Sequence, residues 1–314
     1  MKILVTGCSG DIGKYLIKRL LEQYPDCLIF GVDRPVQIEK FKLSNFLDLE
    51  EKKLSLLPID LLDINEIKKL PDVDYIFHLA AINGTSLFYE IPWDVYINSI
   101  QPTINLLDYY KNRSLKRFIY TSSSEVYASL TDLGVNSIPT SESAAVGFLD
   151  VTNPRWSYGG AKLSGELALI AASKQYGLEF SIIRYHNIYG KDMSLNHVIP
   201  DFIERAKKGI FVLNGSDNIR SFLYIDDAID ATILVASSEK AANRIVNIGS
   251  SEMVTMRKLS DKLMKTFGWA GVVIENSAPE GSTLIRCPDI KFLCNELGFK
   301  QKYNLDDGIK QLIG

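Results

Sequence analysis

Short apolar runs alternate with longer segments that repeat apolar residues every three or four positions through the first half of the chain. The short runs are rich in Ile, Leu, Val and aromatic residues, which is typical of a parallel sheet that helices cover on both faces. Strands and helices that alternate in this order predict a doubly wound α/β fold. The predicted strands are 2–7, 28–33, 56–60, 75–80, 117–123 and 180–185, and the predicted helices are 12–24, 93–111 and 158–176.

The rhythm of the pattern changes after about residue 186, where loops lengthen and short strands are interspersed with short helices. We therefore predict two closely joined domains. Residues 1–185 form the larger domain, and residues 186–221 and 251–314 form a smaller, mixed α/β C-terminal domain over the carboxyl edge of the sheet. Residues 222–250 are expected to return to the larger domain.

The composition and the charge exclude several classes of protein. Of the 314 residues, 46% are hydrophobic and 23% are charged, which is ordinary for a globular chain. No apolar run approaches the ~20 residues that a membrane-spanning helix needs, so we expect no membrane partner. The net charge is −3 and no basic stripe is present, so we expect no nucleic-acid partner.

The cysteines and the N-terminus bear on metal binding and location. Cys8, Cys27, Cys287 and Cys294 show neither a CxxC pair nor the spacing of metal ligands, so we predict no metal site. The chain enters its first predicted strand directly, without the pattern of a signal peptide. Together these observations predict a protein of the reducing cytoplasm.

Three glycines follow the first predicted strand in the spacing Gly7-x-x-Gly10-x-x-Gly13. Gly7 permits a tight turn, Gly10 lets the backbone approach a pyrophosphate, and Gly13 allows close packing of helix on strand. The helix that follows offers free N–H groups and a positive dipole end to the phosphates. Asp33 ends the next strand, where its carboxylate can accept hydrogen bonds from both ribose hydroxyls of NAD. The turn therefore predicts an NAD site, although the neighbouring Arg34 keeps NADP as an alternative.

A tyrosine and a lysine lie four residues apart at the start of a predicted helix, and a serine precedes them at a strand end. Tyr158 and Lys162 would share one face of the helix, about one turn apart. A nearby lysine favours the phenolate and lowers the pKa of a tyrosine, so Tyr158 could accept a proton from a hydroxyl while hydride leaves the same carbon. Ser123, at the end of the fifth strand, could share the reacting oxygen of the substrate. The three residues together predict the oxidation of an alcohol.

Six further motifs accompany the Gly-rich turn and the Tyr-x-x-x-Lys pair: His78-Leu79-Ala80-Ala81, Ser122-Ser123-Ser124-Glu125-Val126-Tyr127, Arg184-Tyr185-His186-Asn187-Ile188-Tyr189-Gly190, His197-Val198-Ile199-Pro200, Arg220-Ser221-Phe222-Leu223-Tyr224-Ile225-Asp226-Asp227 and Arg286-x-x-Asp289. With them, nearly the whole chain resembles the extended short-chain dehydrogenase/reductase family, in the branch that modifies nucleoside-diphosphate sugars. The resemblance implies an N-terminal Rossmann domain that holds NAD and a C-terminal domain that holds the nucleotide sugar. It also implies transient oxidation of the sugar at C4, with Ser123 as the catalytic serine, Tyr158 as the base and Lys162 as its activator.

The residues expected to bind NAD lie in the Gly-rich turn, at the ends of the strands that follow it and in the catalytic helix. They are Gly7, Gly10, Asp11, Ile12, Gly13, Asp33, Arg34, Asp60, Leu61, Leu79, Ala80, Ala81, Tyr158 and Lys162. Within this set, Asp60 and Leu61 would border the adenine.

The resemblance also implies how the nucleotide sugar is held. Arg220 and Arg286 match arginines that hold the diphosphate and the nucleoside ribose, and Asn187 matches an asparagine that donates to the diphosphate. His197 begins a segment whose backbone reads the base in relatives. The residues expected to bind the sugar nucleotide are Thr85, Ser124, Asn187, His197, Val198, Arg220 and Arg286. Relatives commonly dimerise through two helices, here 93–111 and 158–176, so a homodimer is expected.

Glu125 keeps several reactions open. Sugar 4,6-dehydratases and glucuronate decarboxylases of the family carry a glutamate at this position, whereas 4-epimerases usually do not; alternatively, Glu125 only binds a sugar hydroxyl or a loop. Segments 83–90 and 153–160 resemble those of bacterial surface-polysaccharide enzymes that include GDP-heptose 4-dehydrogenases. The preferred prediction is NAD-dependent oxidation at C4 of a nucleotide sugar, with release of the keto product or the C4 epimer. A UDP-glucuronate decarboxylase or a 4,6-dehydratase that uses Glu125 is the alternative.

Overall fold

The computed structural model describes residues 1–44, 46, 53–195, 197–278 and 282–313. Its strands, in chain order, are β1 (Lys2–Thr6), β2 (Leu28–Asp33), β3 (Leu54–Pro58), β4 (Tyr75–His78), β5 (Arg117–Ser123), β6 (Phe180–Tyr185), β7 (Ile188–Tyr189), β8 (Val212–Asn214), β9 (Ile219–Ser221), β10 (Leu223–Tyr224), β11 (Arg244–Ile248), β12 (Met253–Thr255), β13 (Ile274–Asn276) and β14 (Ile285–Arg286). Its α-helices are α1 (Asp11–Gln23), α2 (Pro35–Leu43), α3 (Ile64–Ile67), α4 (Leu87–Glu90), α5 (Pro92–Tyr110), α6 (Ala128–Asp132), α7 (Trp156–Tyr176), α8 (Val198–Lys207), α9 (Ile225–Ser237), α10 (Met256–Phe267) and α11 (Leu305–Lys310).

Seven of these strands form one parallel sheet in the order β3-β2-β1-β4-β5-β6-β11. Alternate residues of each strand face opposite sides, so that Ile3 and Val5 join the core beneath α1 and α9, while Leu4 joins the core beneath α5 and α7. Helices thus cover both faces, and the predicted doubly wound α/β fold, a Rossmann fold, is confirmed.

The predicted strands and helices differ from the observed ones only at their ends. The predicted strand 56–60 lies at Leu54–Pro58, and the strand predicted to end at residue 80 ends at His78. The first strand stops at Thr6 because Gly7 adopts a positive φ of 66°, which turns the chain out of the sheet.

The order of the sheet reverses at β1, which pairs with β2 on one side and with β4 on the other. Connections leave the two halves of the sheet in opposite directions at such a point, and a crevice forms at the carboxyl ends of the two central strands. The Gly-rich turn after β1 and residues 79–81 after β4 lie at this crevice.

The smaller C-terminal region adds two short sheets beside the crevice. β9 lies between the antiparallel β12 and the parallel β14, and β8 pairs with β13. By contrast, β11 pairs with β6 in the large sheet, and the buried side of α9 joins the core beneath α1. The division into domains stays a prediction. Within the described ranges, no helix is long and apolar enough to cross a membrane.

Candidate active site

A cavity of about 800 Å³ opens at the carboxyl edge of the large sheet. Most residues that the sequence assigned to the two binding sites and to catalysis line it: Gly7, Gly10, Asp11, Ile12, Gly13, Leu79, Ala81, Thr85, Ser123, Ser124, Glu125, Tyr158, Lys162, Asn187, His197, Val198, Arg220 and Arg286. The assigned residues that do not line it are Asp33, Arg34, Asp60, Leu61 and Ala80. One continuous cavity therefore joins the predicted cofactor, catalytic and nucleotide-sugar residues.

The Gly-rich turn lines the cavity, and its close backbone packing is of the kind that lets a pyrophosphate approach. A Cβ atom on Gly7 would lie 2.9 Å from the Ala80 backbone nitrogen, and one on Gly13 would lie 2.2 Å from the Gly7 carbonyl oxygen. The backbone is therefore packed too closely for side chains at these positions. Gly10 is the N-cap of α1 and has no side chain to occupy the N–H groups of the first turn, which leaves them for an anion.

Asp33 lies beside this turn at the end of β2. Its carboxylate accepts hydrogen bonds from the backbone nitrogens of Ser9 at 3.2 Å and Arg34 at 2.9 Å. Burial raises the pKa of Asp33 above its ordinary value, although the two N–H groups oppose the shift. The two amides fix the carboxylate at the position where the sequence predicts the ribose of NAD.

The residues predicted to border the adenine make contacts within the protein. Asp60 Oδ1 accepts from the backbone nitrogen of Leu62 at 2.9 Å, and the carbonyl of buried Leu61 accepts from Asn105 at 2.8 Å. These contacts hold the loop that follows β3. A role in adenine binding stays a prediction.

The predicted catalytic residues line the cavity together. Tyr158 and Ser123, at the end of β5, both line the cavity, and hydrogen bonding by the Ser123 side chain favours a lower pKa of Tyr158. The Tyr158 ring stacks on Phe88 of α4, with ring centroids 5.1 Å apart and planes inclined by 8°. The helix, the strand and the stacked ring together fix the position of the phenol.

Lys162 lies one turn further along α7 and is almost fully buried. Its Nζ donates a 2.7 Å hydrogen bond to the Thr121 carbonyl. Burial lowers the pKa of Lys162 to about 7, opposed by the charge of Glu166. The lysine therefore changes charge near neutral pH.

The sequence predicted that Lys162 lowers the pKa of Tyr158, and the structure shows the opposite shift. Burial and the negative charge of Glu125 raise the pKa of Tyr158, and the hydrogen bond from Ser123 only opposes the change. The prediction of a lowered pKa was wrong because it considered one face of a helix and ignored burial.

Glu125 is held between two arginines at the side of the cavity. Arg286 Nη1 donates to its carboxylate at 2.9 Å, and Arg155 Nη2 lies 3.4 Å from both of its oxygens. Burial alone would raise the pKa of Glu125, but Arg286 and Arg155 outweigh it and lower the pKa to about 2. Glu125 is therefore ionised throughout the physiological range.

A third arginine, Arg220, lies close to this group. Its guanidinium donates to the carbonyls of Ile219 at 2.8 Å and of Thr283, and burial together with the charge of Arg286 lowers its pKa to about 9. Two arginines thus contact Glu125, and a third lies near enough for its charge to act on that carboxylate. The surplus of positive charge suits a strongly anionic ligand.

The sequence analysis missed Arg155 as a site residue. It immediately precedes α7 and lines the cavity, with a side chain that is 5% exposed. Arg155 precedes Tyr158 by three residues, a spacing that puts two side chains on the same side of a helix. This spacing could have identified Arg155 as a site residue. Arg184, by contrast, is committed to the scaffold: it pairs with Glu166 through bonds of 2.9 and 2.6 Å.

Two residues predicted to contact the nucleotide sugar are fixed by the protein itself. Asn187 has a φ of 38°, which asparagine tolerates, and its Nδ2 donates to the Ser221 carbonyl at 2.9 Å. His197 is the N-cap of α8, and its Nε2 lies 3.3 Å from Asp11 Oδ2. Asp11, predicted at the cofactor, therefore contacts a residue predicted at the substrate.

A family model described as the NAD dependent epimerase/dehydratase family matches residues 3–249. The chain belongs to this family. It is therefore an NAD-dependent enzyme that modifies nucleotide sugars, and the prediction of NAD as its cofactor is confirmed.

Individual relatives cover almost the full length of the chain. A UDP-N-acetyl-alpha-D-glucosaminuronate decarboxylase of Bacillus cytotoxicus is 29% identical over 99% of this chain and 96% of its own. A crystal structure of UDP-glucuronic acid 4-epimerase from Bacillus cereus, in complex with UDP-glucuronic acid and NAD, aligns with a TM-score of 0.84 and 26% identity. That alignment covers 99% of this chain and 97% of the epimerase. A UDP-glucose 4-epimerase of Thermotoga maritima, solved with UDP-glucose, aligns with a TM-score of 0.84 and 25% identity over 99% and 97%.

Proposed function

We propose that the protein oxidises C4 of a nucleoside-diphosphate sugar and releases the 4-keto sugar or its C4 epimer. The observation that carries this proposal is that Ser123, Tyr158 and Lys162 line one cavity together. The Gly-rich turn, Arg220 and Arg286 line the same cavity. A sugar hydroxyl bound beside Tyr158 would have a base next to it. Arg220 and Arg286 would offer an anion site to the diphosphate of the same nucleotide sugar.

The two hydroxyl side chains divide the proton chemistry between them. Ser123 would donate to or accept from the C4 oxygen and hold it against Tyr158, which would take the hydroxyl proton. Lys162 would stabilise the phenolate while it carries a charge. NAD, when bound, accepts the hydride from C4.

The remaining assigned residues would hold the substrate. Arg220 and Arg286 would bind the diphosphate as charge-assisted donors. The other residues assigned to the nucleotide sugar are Thr85, Ser124, Asn187, His197 and Val198, all of which line the cavity. GDP-heptose as the substrate, surface-polysaccharide synthesis as the context and a homodimer through α5 and α7 stay predictions from sequence motifs.

A second candidate, decarboxylation of a nucleotide-sugar uronate, is favoured by the arginines around Glu125. Oxidation at C4 would convert the uronate into a β-keto acid. Cleavage of its C5–C6 bond would release carbon dioxide and leave an enolate that takes up a proton at C5, and the reduced cofactor would supply the hydride that returns the C4 ketone to an alcohol. Arg155 or Arg286 could hold the sugar carboxylate, and the Bacillus cytotoxicus relative bears the name of such a decarboxylase. A 4,6-dehydratase is less favoured, because a glutamate with a pKa of about 2 is a weak base for the C5 proton.

The test is to incubate the purified protein with a panel of UDP-, dTDP- and GDP-sugars, both neutral and uronic, with and without added NAD. Absorbance at ~340 nm reports reduced nicotinamide, and mass spectrometry with NMR identifies each product. Accumulated NADH with a sugar lighter by two hydrogens, or a C4 epimer of unchanged mass, would support the first candidate. Loss of carbon dioxide or water without net NADH would replace it with the second candidate or with a dehydratase.

Glu125→Gln separates these reactions further. A C4 dehydrogenase or epimerase should keep most of its turnover, since Glu125 takes no proton in either. A dehydratase should lose turnover by about 10²-fold or more, the usual contribution of a general base. Glu22→Gln, an isosteric change on the exposed side of α1, serves as the matched control.

A further inference from the structure

Asp11 occupies an unusual position for a carboxylate. It lies in the first turn of α1, next to the Gly-rich turn that fits the NAD pyrophosphate. A free negative charge there would repel the phosphates and so oppose the attraction of the helix dipole. We therefore expect that this side chain is not itself a phosphate ligand, and the assignment of Asp11 to the cofactor site stays a prediction.

The Asp11 carboxylate is occupied by a distant segment instead. It accepts hydrogen bonds from the backbone nitrogen of Ser194 at 3.0 Å and from the Ser194 hydroxyl at 2.8 Å, and His197 Nε2 lies 3.3 Å away. Burial alone would raise the pKa of Asp11, but these donors outweigh it and lower the pKa below its ordinary value. Asp11 thus stays ionised and bound.

Two neighbours of Asp11 bind the same segment. Lys14 Nζ donates to the Asp192 carbonyl at 2.7 Å, and the Tyr15 hydroxyl donates to the Lys191 carbonyl at 2.7 Å. Three side chains from the first two turns of α1 therefore fasten residues 191–195, which we call the strap. Asp11 supplies the contacts closest to the Gly-rich turn.

The strap and the Gly-rich turn line the same cavity. Met193, Ser194 and Leu195 contribute to its wall together with Gly7 and Gly10. Because Asp11 joins α1 to the strap, the strap lies next to the Gly-rich turn in the wall of the cavity.

We propose that Asp11 is a positioning residue, which holds the strap across the pyrophosphate end of the cavity and so slows the dissociation of NAD. The proposal depends on NAD as the cofactor and not on the reaction at the sugar. The bound cofactor would be retained between turnovers. Of the outcomes proposed above, retention suits C4 epimerisation, in which the hydride returns to the sugar, better than release of the 4-keto sugar.

The experiment measures NAD release from the purified full-length holoenzyme. Each protein is mixed with excess ethanol and alcohol dehydrogenase, which reduces NAD as it becomes free, and NADH is followed by absorbance. The variants are Asp11→Asn, Ser194→Ala and the double variant. Asp192→Asn is the matched control. Like Asp11→Asn, it removes one carboxylate charge, but it keeps the contact of Asp192 with Lys14, because Lys14 binds the Asp192 backbone carbonyl and not its side chain.

Asp11→Asn should release NAD about tenfold faster, since hydrogen bonds to a charged group are lost. Ser194→Ala should act in the same direction. The double variant should be little faster than Asp11→Asn alone, because both substitutions break one interaction. Asp192→Asn should release NAD at the wild-type rate.

Two results would overturn the proposal. Wild-type release by Asp11→Asn would show that the strap does not retain the cofactor. If Asp192→Asn accelerated NAD release as much as Asp11→Asn does, the effect would come from the loss of a negative charge and not from the contact between Asp11 and the strap. Thermal unfolding of the NAD-free proteins distinguishes a structural role, which would lower Tm without changing the release rate. If Asp11→Asn loses its NAD during purification, the affinity of the variant for re-added NAD is measured in place of the release rate. This affinity should be about tenfold lower than that of the wild type.

Discussion

Arg286 and Glu125 lie 161 residues apart in the chain and form a 2.9 Å hydrogen bond at the side of the catalytic cavity. The first belongs to the short strand β14, and the second follows β5 of the large sheet. The bond therefore connects the C-terminal region to the strand that carries Ser123. Arg155, the residue before α7, also contacts the Glu125 carboxylate. Residues from three separate segments of the chain therefore meet at this carboxylate.

Glu125→Gln should destabilise the protein at neutral pH. The substitution leaves Arg155 and Arg286 without the charge that compensates their burial, and we expect a loss of roughly 1–3 kcal/mol in the free energy of unfolding. Urea denaturation measures it. Glu22→Gln, on the exposed side of α1, should change the free energy by less than about 1 kcal/mol.

Because the pKa of Glu125 is shifted, we expect the free energy of unfolding to depend on pH. Its pKa falls from an ordinary value of 4.5 to about 2 in the folded protein, so the folded state favours the ionised form. The contribution of Glu125 is complete above about pH 4.5 and is lost as the pH falls toward 2. The stability difference between wild type and Glu125→Gln should therefore shrink over that window in denaturation curves at a series of pH values. A difference independent of pH would show that the carboxylate is not held in the ionised form.

Tyr158→Phe should bind NAD but lose about 10²- to 10⁴-fold in turnover, because the proton acceptor is removed while the ring and its stacking on Phe88 remain. Steady-state kinetics with the substrate found in the panel measures the loss, and NAD binding is titrated separately. Tyr176→Phe, at the far end of the same helix, should keep its activity. A wild-type rate for Tyr158→Phe would remove this residue from its role.

Lys162→Met should be inactive yet more stable than the wild type. Burial lowers the pKa of Lys162 from 10.5 to about 7, so below pH 7 the folded protein contains a charged lysine at a cost. Between pH 7 and 10.5 the folded state has lost a proton that the unfolded chain keeps, and the cost declines as the pH rises. The variant should therefore gain roughly 1–3 kcal/mol at pH 6 and less at pH 9, as measured by denaturant unfolding without NAD. Lys174→Met, at an exposed position of α7, is the control.

Asp33→Ala should weaken NAD binding by about tenfold and narrow the preference for NAD over NADP. The carboxylate is fixed by the amides of Ser9 and Arg34, where it would accept from ribose hydroxyls and repel a 2′-phosphate. Fluorescence titration with each dinucleotide measures both effects, with Asp26→Ala as an exposed control. An unchanged cofactor preference would argue against the ribose contact.

The fold could be predicted from the sequence because its information is local. Continuous apolar runs identify β1, β2 and β4 to β6 within two residues, since strands covered on both faces tolerate few polar residues. The Gly-rich turn and the Tyr158–Lys162 pair are likewise short patterns whose geometry follows from one turn or one helix.

The remaining features depend on contacts between distant segments. The bond of Asp11 to Ser194 joins residues 183 apart, and the bond of Glu125 to Arg286 depends on where a two-residue strand lies. No periodicity encodes either contact. The raised pKa of Tyr158 was not predicted from the sequence for a related reason. The spacing to Lys162 is visible in the sequence, whereas the burial that dominates the pKa shift is a property of the whole fold.

The position of β11 has a consequence for the synthesis of the chain. This strand completes the large sheet on the outer side of β6, yet it follows β7 to β10 in the chain. A growing chain that has emerged only as far as β10 exposes the edge of β6, with its unpaired N–H and C=O groups. We therefore expect nascent chains that stop between residues 190 and 240 to bind chaperones or to aggregate, and protection of the β6 edge to begin once residue 248 has left the ribosome.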